Sequence, residues 1–260
     1  MKTFAFTVDD NIRFLKELSK GEAKSLFDHP YLALYRRLHE KYGLKVQLNL
    51  FYEMPGFALS EMTGRFKDEW AENADWLKLS FHSRLENVNP YIASGYDEVY
   101  HHCRSVHDEI LRFAGEKSLA KTTTIHYCQT TEAGVRALKD NGIYALLGLF
   151  GTDEKKQSSY SLNQEACARI RRGETVQKGG MDFYAIDLIM NLFKKDEMLK
   201  RLSELLCREN LHVMIHEQYF YKDYPAFQPD FSEKLDCAFR LLTEMGYESR
   251  FLEESGRQYN

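Results

Sequence analysis

Two adjacent aspartates and three histidines carry most of the chemical information in this 260-residue chain. Asp9 and Asp10 follow the apolar run Thr3 to Val8, His82 follows Leu77 to Phe81, His126 follows Thr122 to Ile125, and His216 closes Leu211 to Ile215. Carboxylate oxygen and imidazole nitrogen are ligands for a divalent cation such as zinc, and the same groups act as general base and acid near neutral pH. Neighbouring residues at a strand end point in opposite directions, so Asp9-Asp10 can divide into a metal ligand and a base for a metal-held water. The competing use is that one of them caps a helix beginning at Asn11. His82 and Glu86 stand four residues apart, which puts them on one face if the chain turns helical there. His82 and Glu86 could then bind one cation together, and His126 is a further candidate at a strand end. A lone histidine at a strand end is more often a hydrogen-bonded structural residue; the weight here rests on several such residues sharing one position relative to their strands.

The elements that must place them follow from hydrophobic patterning. Short runs rich in β-branched and aromatic residues recur at 3–8, 44–50, 77–81, 122–125, 143–149, 183–188, 211–215 and 247–252. Helical periodicity lies between them near 29–42, 60–75, 96–114, 130–141, 195–209 and 229–245, with Gly43, Gly115, Gly142 and Gly246 at helix-ending positions. Repeated strand–helix units over this length predict an α/β fold, an irregular (β/α) barrel of seven or eight strands in one domain over 1–260. The polar stretch 151–180 breaks the rhythm and reads as an excursion over one rim. Such barrels carry their sites at the C-terminal ends of the strands, where Asp9, Asp10, Tyr52, Glu53, His82, His126 and His216 fall. His29, His39, His101, His102 and His107 read instead as helix or loop residues at the surface, and His212 as a strand-start residue. Rings at Phe51, Tyr52, Tyr127, Tyr219, Tyr221 and Tyr224 follow strands and suit a pocket wall.

Composition narrows the function classes. With 39 acidic and 35 basic residues the net charge is −4, and no basic block supplies a nucleic-acid footprint. Five cysteines without C-x-x-C spacing argue against a disulfide framework or a zinc knuckle. No 18-residue apolar run and no signal-peptide core are present, so a soluble cytoplasmic protein with no membrane partner is expected.

Thr7-Val8-Asp9-Asp10, His82-Ser83-x-x-Glu86 and Val213-Met214-Ile215-His216 resemble, in order and spacing along most of the chain, the successive motifs of the polysaccharide deacetylase family, carbohydrate esterases similar to chitooligosaccharide deacetylase. The resemblance implies an irregular (β/α) barrel and a divalent metal, commonly zinc, that activates water against an N- or O-acetyl group. It also implies Asp9 as general base, Asp10 and His82 as metal ligands, and His216 as the acid for the leaving group. Two motifs depart. The family's second metal histidine falls at Glu86, and its Arg-Pro-Pro-Tyr-Gly segment is replaced around Thr124 to Gln129 by a stretch containing His126.

The expected function is a metal-dependent hydrolase removing an acyl group, N-acetyl by preference, from a soluble carbohydrate or related small molecule. Asp10, His82 and His126 would hold the cation, with Asp9 and His216 catalytic. Two alternatives stay open: a two-carboxylate glycoside hydrolase pairing Asp9 with, for example, Asp187 or Glu217, and a non-catalytic carbohydrate-binding or regulatory barrel.

Overall fold

The computed structural model describes residues 2–86, 91–151 and 159–254. Its strands are β1 (Lys2–Asn11), β2 (Val46–Met54), β3 (Phe57–Ala58), β4 (Leu77–Leu85), β5 (Thr122–Thr123), β6 (Ala145–Gly148), β7 (Val176–Lys178), β8 (Met181–Ala185), β9 (Leu188–Ile189), β10 (Asn210–His216) and β11 (Tyr247–Ser249). Its helices are α1 (Arg13–Lys20), α2 (Pro30–Tyr42), α3 (Lys67–Glu72), α4 (Tyr96–Phe113), α5 (Glu132–Asp140), α6 (Gln164–Arg171), α7 (Lys195–Leu205) and α8 (Phe231–Glu244). None of the helices is long and apolar enough to cross a membrane.

The parallel strands run in a ring. β1 pairs with β2 and β2 with β4, and a parallel bridge from Leu79 to Leu119 leads towards β5. β5 pairs with β6, β6 with β8, β9 with β10, and β10 with β1. β8 and β9 form one bent stave, because Ile186 N–H bonds the Gly148 carbonyl on one side and Asp187 N–H the His212 carbonyl on the other. The expected irregular (β/α) barrel is therefore the observed architecture, with seven staves and the short β11 lying against the start of β1. Each apolar run expected to be a strand overlaps one, and 183–188 spans the end of β8 and the start of β9.

Two helices, α1 and α6, have no counterpart in the helix spans expected from periodicity, and the span 60–75 shrinks to α3. α1 is only eight residues long and lies directly behind the aspartate pair. α6 lies in the polar stretch 151–180, of which 152–158 fall outside the described residues. There β7 pairs antiparallel with β8 through Gly179 and Gly180, both at positive φ, a conformation that glycine adopts without steric cost.

The core fills the barrel and the layer between staves and helices. Phe4 of β1 stacks on Phe239 of α8 at 5.7 Å, and Phe6 meets the same ring edge-on at 4.9 Å. Tyr31 and Tyr35 of α2 meet edge to face at 4.9 Å. Each of these fully buried rings removes enough apolar surface to contribute about 2 kcal/mol or more, which is what holds the strand ends in register.

Candidate metal centre

Two backbone irregularities aim the aspartates and the first histidine. The pairing of β1 with β2 shifts register between Val8 and Asn11, and Asp10 there has φ 63°, in the left-handed region. Both carboxylates consequently approach His82, rather than pointing to opposite sides as strand alternation alone requires: Asp9 Oδ2 lies 3.9 Å from its Nδ1 and Asp10 Oδ1 3.0 Å from its Nε2. His82 is itself the extra residue of a second bulge, since Leu50 pairs with Phe81 and Phe51 with Ser83. His126 comes from a turn after β5 in which Tyr127 and Cys128 both have positive φ. His126 Nδ1 then lies 3.2 Å from His82 Nε2 and 3.3 Å from Asp10 Oδ1.

These three atoms form a nearly equilateral triangle, and their donor chemistry and spacing fit a cation. Atoms about 2.0–2.1 Å from a zinc ion in octahedral or tetrahedral arrangement lie about 3.0–3.4 Å apart. His82 Nδ1–H donates to the Thr124 carbonyl, which leaves the Nε2 lone pair facing the triangle. Without a cation, a proton does that work. Burial opposes protonation of His82, but Asp9 and Asp10 outweigh it and raise its pKa. Burial likewise opposes ionisation of Asp10, yet hydrogen bonds from His126 and His82 hold its carboxyl well below the usual range. His126 is shifted down by burial.

Asp9 and His216 flank the triangle. Asp9 is buried and pushed up to about 6 by desolvation, with Asn49 Nδ2–H donating to its Oδ1 at 2.7 Å. Gln47 and Thr122 continue that chain of hydrogen bonds through the barrel interior. His216 Nδ1–H donates to Asn191 Oδ1 at 2.9 Å, which fixes its tautomer, and burial lowers its pKa. A cavity of about 440 Å3 opens above these groups, walled by Ile125, Leu149, Ile189 and Met214 and by the rings of Tyr127, Tyr219 and Tyr224. The lining among the described residues contains no lysine or arginine.

The structure thus brings together Asp9, Asp10, His82, His126 and His216. Glu86 lines the same cavity but not the triangle: β4 stays extended to Leu85, so no helical turn carries Glu86 back over His82. Neither aspartate caps α1. Glu217 does so from the end of β10, its carboxylate accepting the N–H groups of Ile12, Arg13 and Phe14. Asp187 is spent near the start of β10, on Arg208 and the His212 N–H. Neither carboxylate proposed as a glycosidase partner of Asp9 lines the cavity.

Phe51, expected in the pocket wall, is instead buried against His82 and His126, at 5.2 and 5.0 Å. Among the surface histidines expected, His29 is instead a buried N-cap of α2 and His107 packs beside Cys103. Two residues at the site have no place among the sequence candidates. Asn49 was legible, because Gln47 and Asn49 alternate with Val46, Leu48 and Leu50 and so share one face of the strand. Gln218, whose Nε2–H donates to Asp10 Oδ2 at 2.6 Å, lies on a turn that carries no such periodic signal.

No protein-family model and no curated protein matches the sequence. Solved structures do match. The chain superimposes on a peptidoglycan N-acetylglucosamine deacetylase with TM-score 0.56 and 11% identity, over 97% of this chain and 86% of that one. It superimposes on a family 4 acetyl xylan esterase from Clostridium thermocellum, solved with a cobalt ion, with TM-score 0.51 and 15% identity over 97% and 89%. The chain has the polysaccharide deacetylase fold. It spans 64% of the length of a CE4-family pseudoenzyme from Bacillus anthracis, at 13% identity over 97% of its own residues and TM-score 0.49. A 4-alpha-glucanotransferase from Thermococcus litoralis shares the architecture, with TM-score 0.63 and 14% identity over 100% of this chain and 40% of that one. The polysaccharide deacetylase fold therefore accounts for the barrel and for the end at which the cavity opens, while the reaction must be argued from the side chains.

Proposed function

We propose that the protein is a metal-dependent hydrolase that removes an acyl group, N-acetyl by preference, from a soluble carbohydrate or related small molecule in the cytoplasm. The observation that carries this reading is the triangle of Asp10 Oδ1, His82 Nε2 and His126 Nδ1 on the floor of a cavity shared with Asp9 and His216. Asp10, His82 and His126 would hold a divalent cation, zinc by preference, which would supply Lewis acidity towards an acyl oxygen and lower the pKa of water towards 7.

Asp9 is the general base. Desolvation makes its carboxylate a stronger proton acceptor than a solvated one, and Asn49 holds Oδ1, which leaves Oδ2, 3.9 Å from His82 Nδ1, as the oxygen to take a proton. His216 is the general acid. Asn191 takes its Nδ1–H, so Nε2 is the atom that delivers a proton to the departing amine, and the lowered pKa makes the imidazolium a stronger acid. The Tyr127 backbone N–H, on the loop that lines the cavity, is suited to the developing oxyanion. Tyr127, Tyr219 and Tyr224 offer faces for a sugar ring. Among the described residues the lining holds no lysine or arginine, which favours an uncharged substrate over a phosphorylated one.

The test is elemental analysis of the purified protein together with acetate release from a panel of N-acetylated amino sugars. One equivalent of a divalent cation, lost in Asp10→Ala and His82→Ala together with acetate release, is the expected result. Full metal occupancy in both variants would sink the reading.

A further inference from the structure

We infer that the turn following His216 is a positioning device for Asp10, and that Gln218 presets this aspartate to offer a single oxygen to the cation. The inference rests on the metal site proposed above and assigns a role to residues outside it.

Asp10 needs holding. A non-glycine residue at φ 63° gives up favourable backbone conformation, so the left-handed geometry persists only if its surroundings impose it. The end of β10 imposes it from two sides. The parallel ladder between β1 and β10 runs up to the pairing of Asp9 with His216. Immediately beyond, Glu217 turns inwards and accepts the N–H groups of Ile12, Arg13 and Phe14 at 2.6, 3.0 and 2.8 Å, pinning the chain just after Asp10. Tyr221 O–H donates to the same carboxylate at 3.0 Å, so the clamp is itself held.

Gln218 then acts on the side chain. Its Nε2–H donates to Asp10 Oδ2 at 2.6 Å, while Oδ1 faces His82 Nε2 and His126 Nδ1. The amide donor engages Oδ2 and orients the carboxylate plane, so Oδ1 is the oxygen presented to a cation and binding through both oxygens is disfavoured. An amide suits this place because it donates without adding charge beside Asp10. A carboxylate at 218 would set acceptor against acceptor, and an aliphatic side chain would leave Oδ2 free. Outer hydrogen bonds of this kind commonly change metal affinity by 10- to 100-fold.

The experiment uses zinc alone as the probe. The full-length protein is stripped of metal, and zinc binding to wild type, Gln218→Met and Gln218→Leu is measured by calorimetry or chelator competition, alongside thermal unfolding of the metal-free proteins. We expect one zinc per chain in all three, about 10- to 100-fold weaker in both variants, with metal-free midpoints close to wild type. Cobalt-substituted protein supplies a signature that a purely structural role would not move: the visible absorption of the variants should weaken as Asp10 becomes free to bind through both oxygens and coordination number rises. Zinc affinity within twofold of wild type, or an unchanged cobalt spectrum, overturns the role of Gln218 while leaving the metal site standing. If Asp10→Ala also binds zinc like wild type, the metal site itself is wrong and the inference falls with it.

Discussion

Asp9 and His216 are register partners, opposite one another at the last step of the parallel ladder between β1 and β10. Paired residues on neighbouring parallel strands project to the same side, so the distance between the proposed base and acid is set by backbone hydrogen bonding rather than by a mobile loop. The triangle of Asp10, His82 and His126 lies beside that pair, within reach of both.

Asp9→Asn is expected to lower acetate release by 100-fold or more, in the range typical of losing a general base, while the protein still binds zinc. The wild-type rate should rise with pH as Asp9 loses its proton, with a midpoint at or below about 6, since a bound cation adds positive charge beside a carboxyl that burial, partly offset by His82 and Asn49, pushes up to about 6 in the metal-free protein. Rate against pH for both proteins checks this; an acidic limb retained unchanged in Asp9→Asn assigns the titration elsewhere.

The same group makes a stability prediction for the metal-free protein. The Asp9 pKa is raised from 3.8 to about 6 on folding, so the folded state holds this proton where the unfolded chain has lost it. Its contribution is therefore full below pH 4 and is lost as pH rises to about 6, a change of roughly 3 kcal/mol. Asp9→Asn cannot titrate, and should gain stability relative to wild type across that window. Urea denaturation at pH 4, 5, 6 and 7 measures the difference, and parallel profiles for the two proteins count against it.

Zinc affinity should fall as pH falls. Asp9 and Asp10 raise the pKa of His82, so a proton competes with the cation for the Nε2 lone pair and must leave when metal binds. Calorimetric titrations in buffers of different ionisation enthalpy count those protons. A pH-independent affinity between 6 and 8 contradicts the proposed ligand.

Glu217→Ala is predicted to cost about 3 kcal/mol or more, because it strips the acceptor from the N–H groups that open α1 in a buried setting. Removing the carboxyl also removes a group that burial pushes up to about 7, so the loss should be larger at pH 5 than at pH 8. Chemical denaturation at the two pH values provides the comparison.

Tyr127 has φ 60°, is 54% exposed and lines the cavity. Tyr127→Gly should leave stability unchanged or raise it by up to about 1 kcal/mol, since glycine adopts this conformation without strain. It should at the same time raise KM by removing a cavity wall. Unchanged KM removes the ring from substrate recognition.

The sequence by itself determined the staves and the chemistry of their ends. Alternation and apolar runs are local signals, and in a barrel of parallel strands the residue after each run necessarily falls at one rim, which is why Asp9, Asp10, His82, His126 and His216 could be picked out together. Only the tertiary structure decided how they meet. The bulges at Asp10 and His82 arise from pairing with β2, which lies distant in sequence, and a one-residue slip turns a side chain to the opposite face. Glu86 and His126 were equally good ligands on paper. The continued ladder between β2 and β4 keeps the chain extended to Leu85 and carries Glu86 away from the triangle, whereas β5 ends at Thr123 and lets His126 fold in. Glu217 and His216 are adjacent in sequence, yet one faces the cavity and the other is buried under α1, a division set by the helix whose N–H groups needed an acceptor.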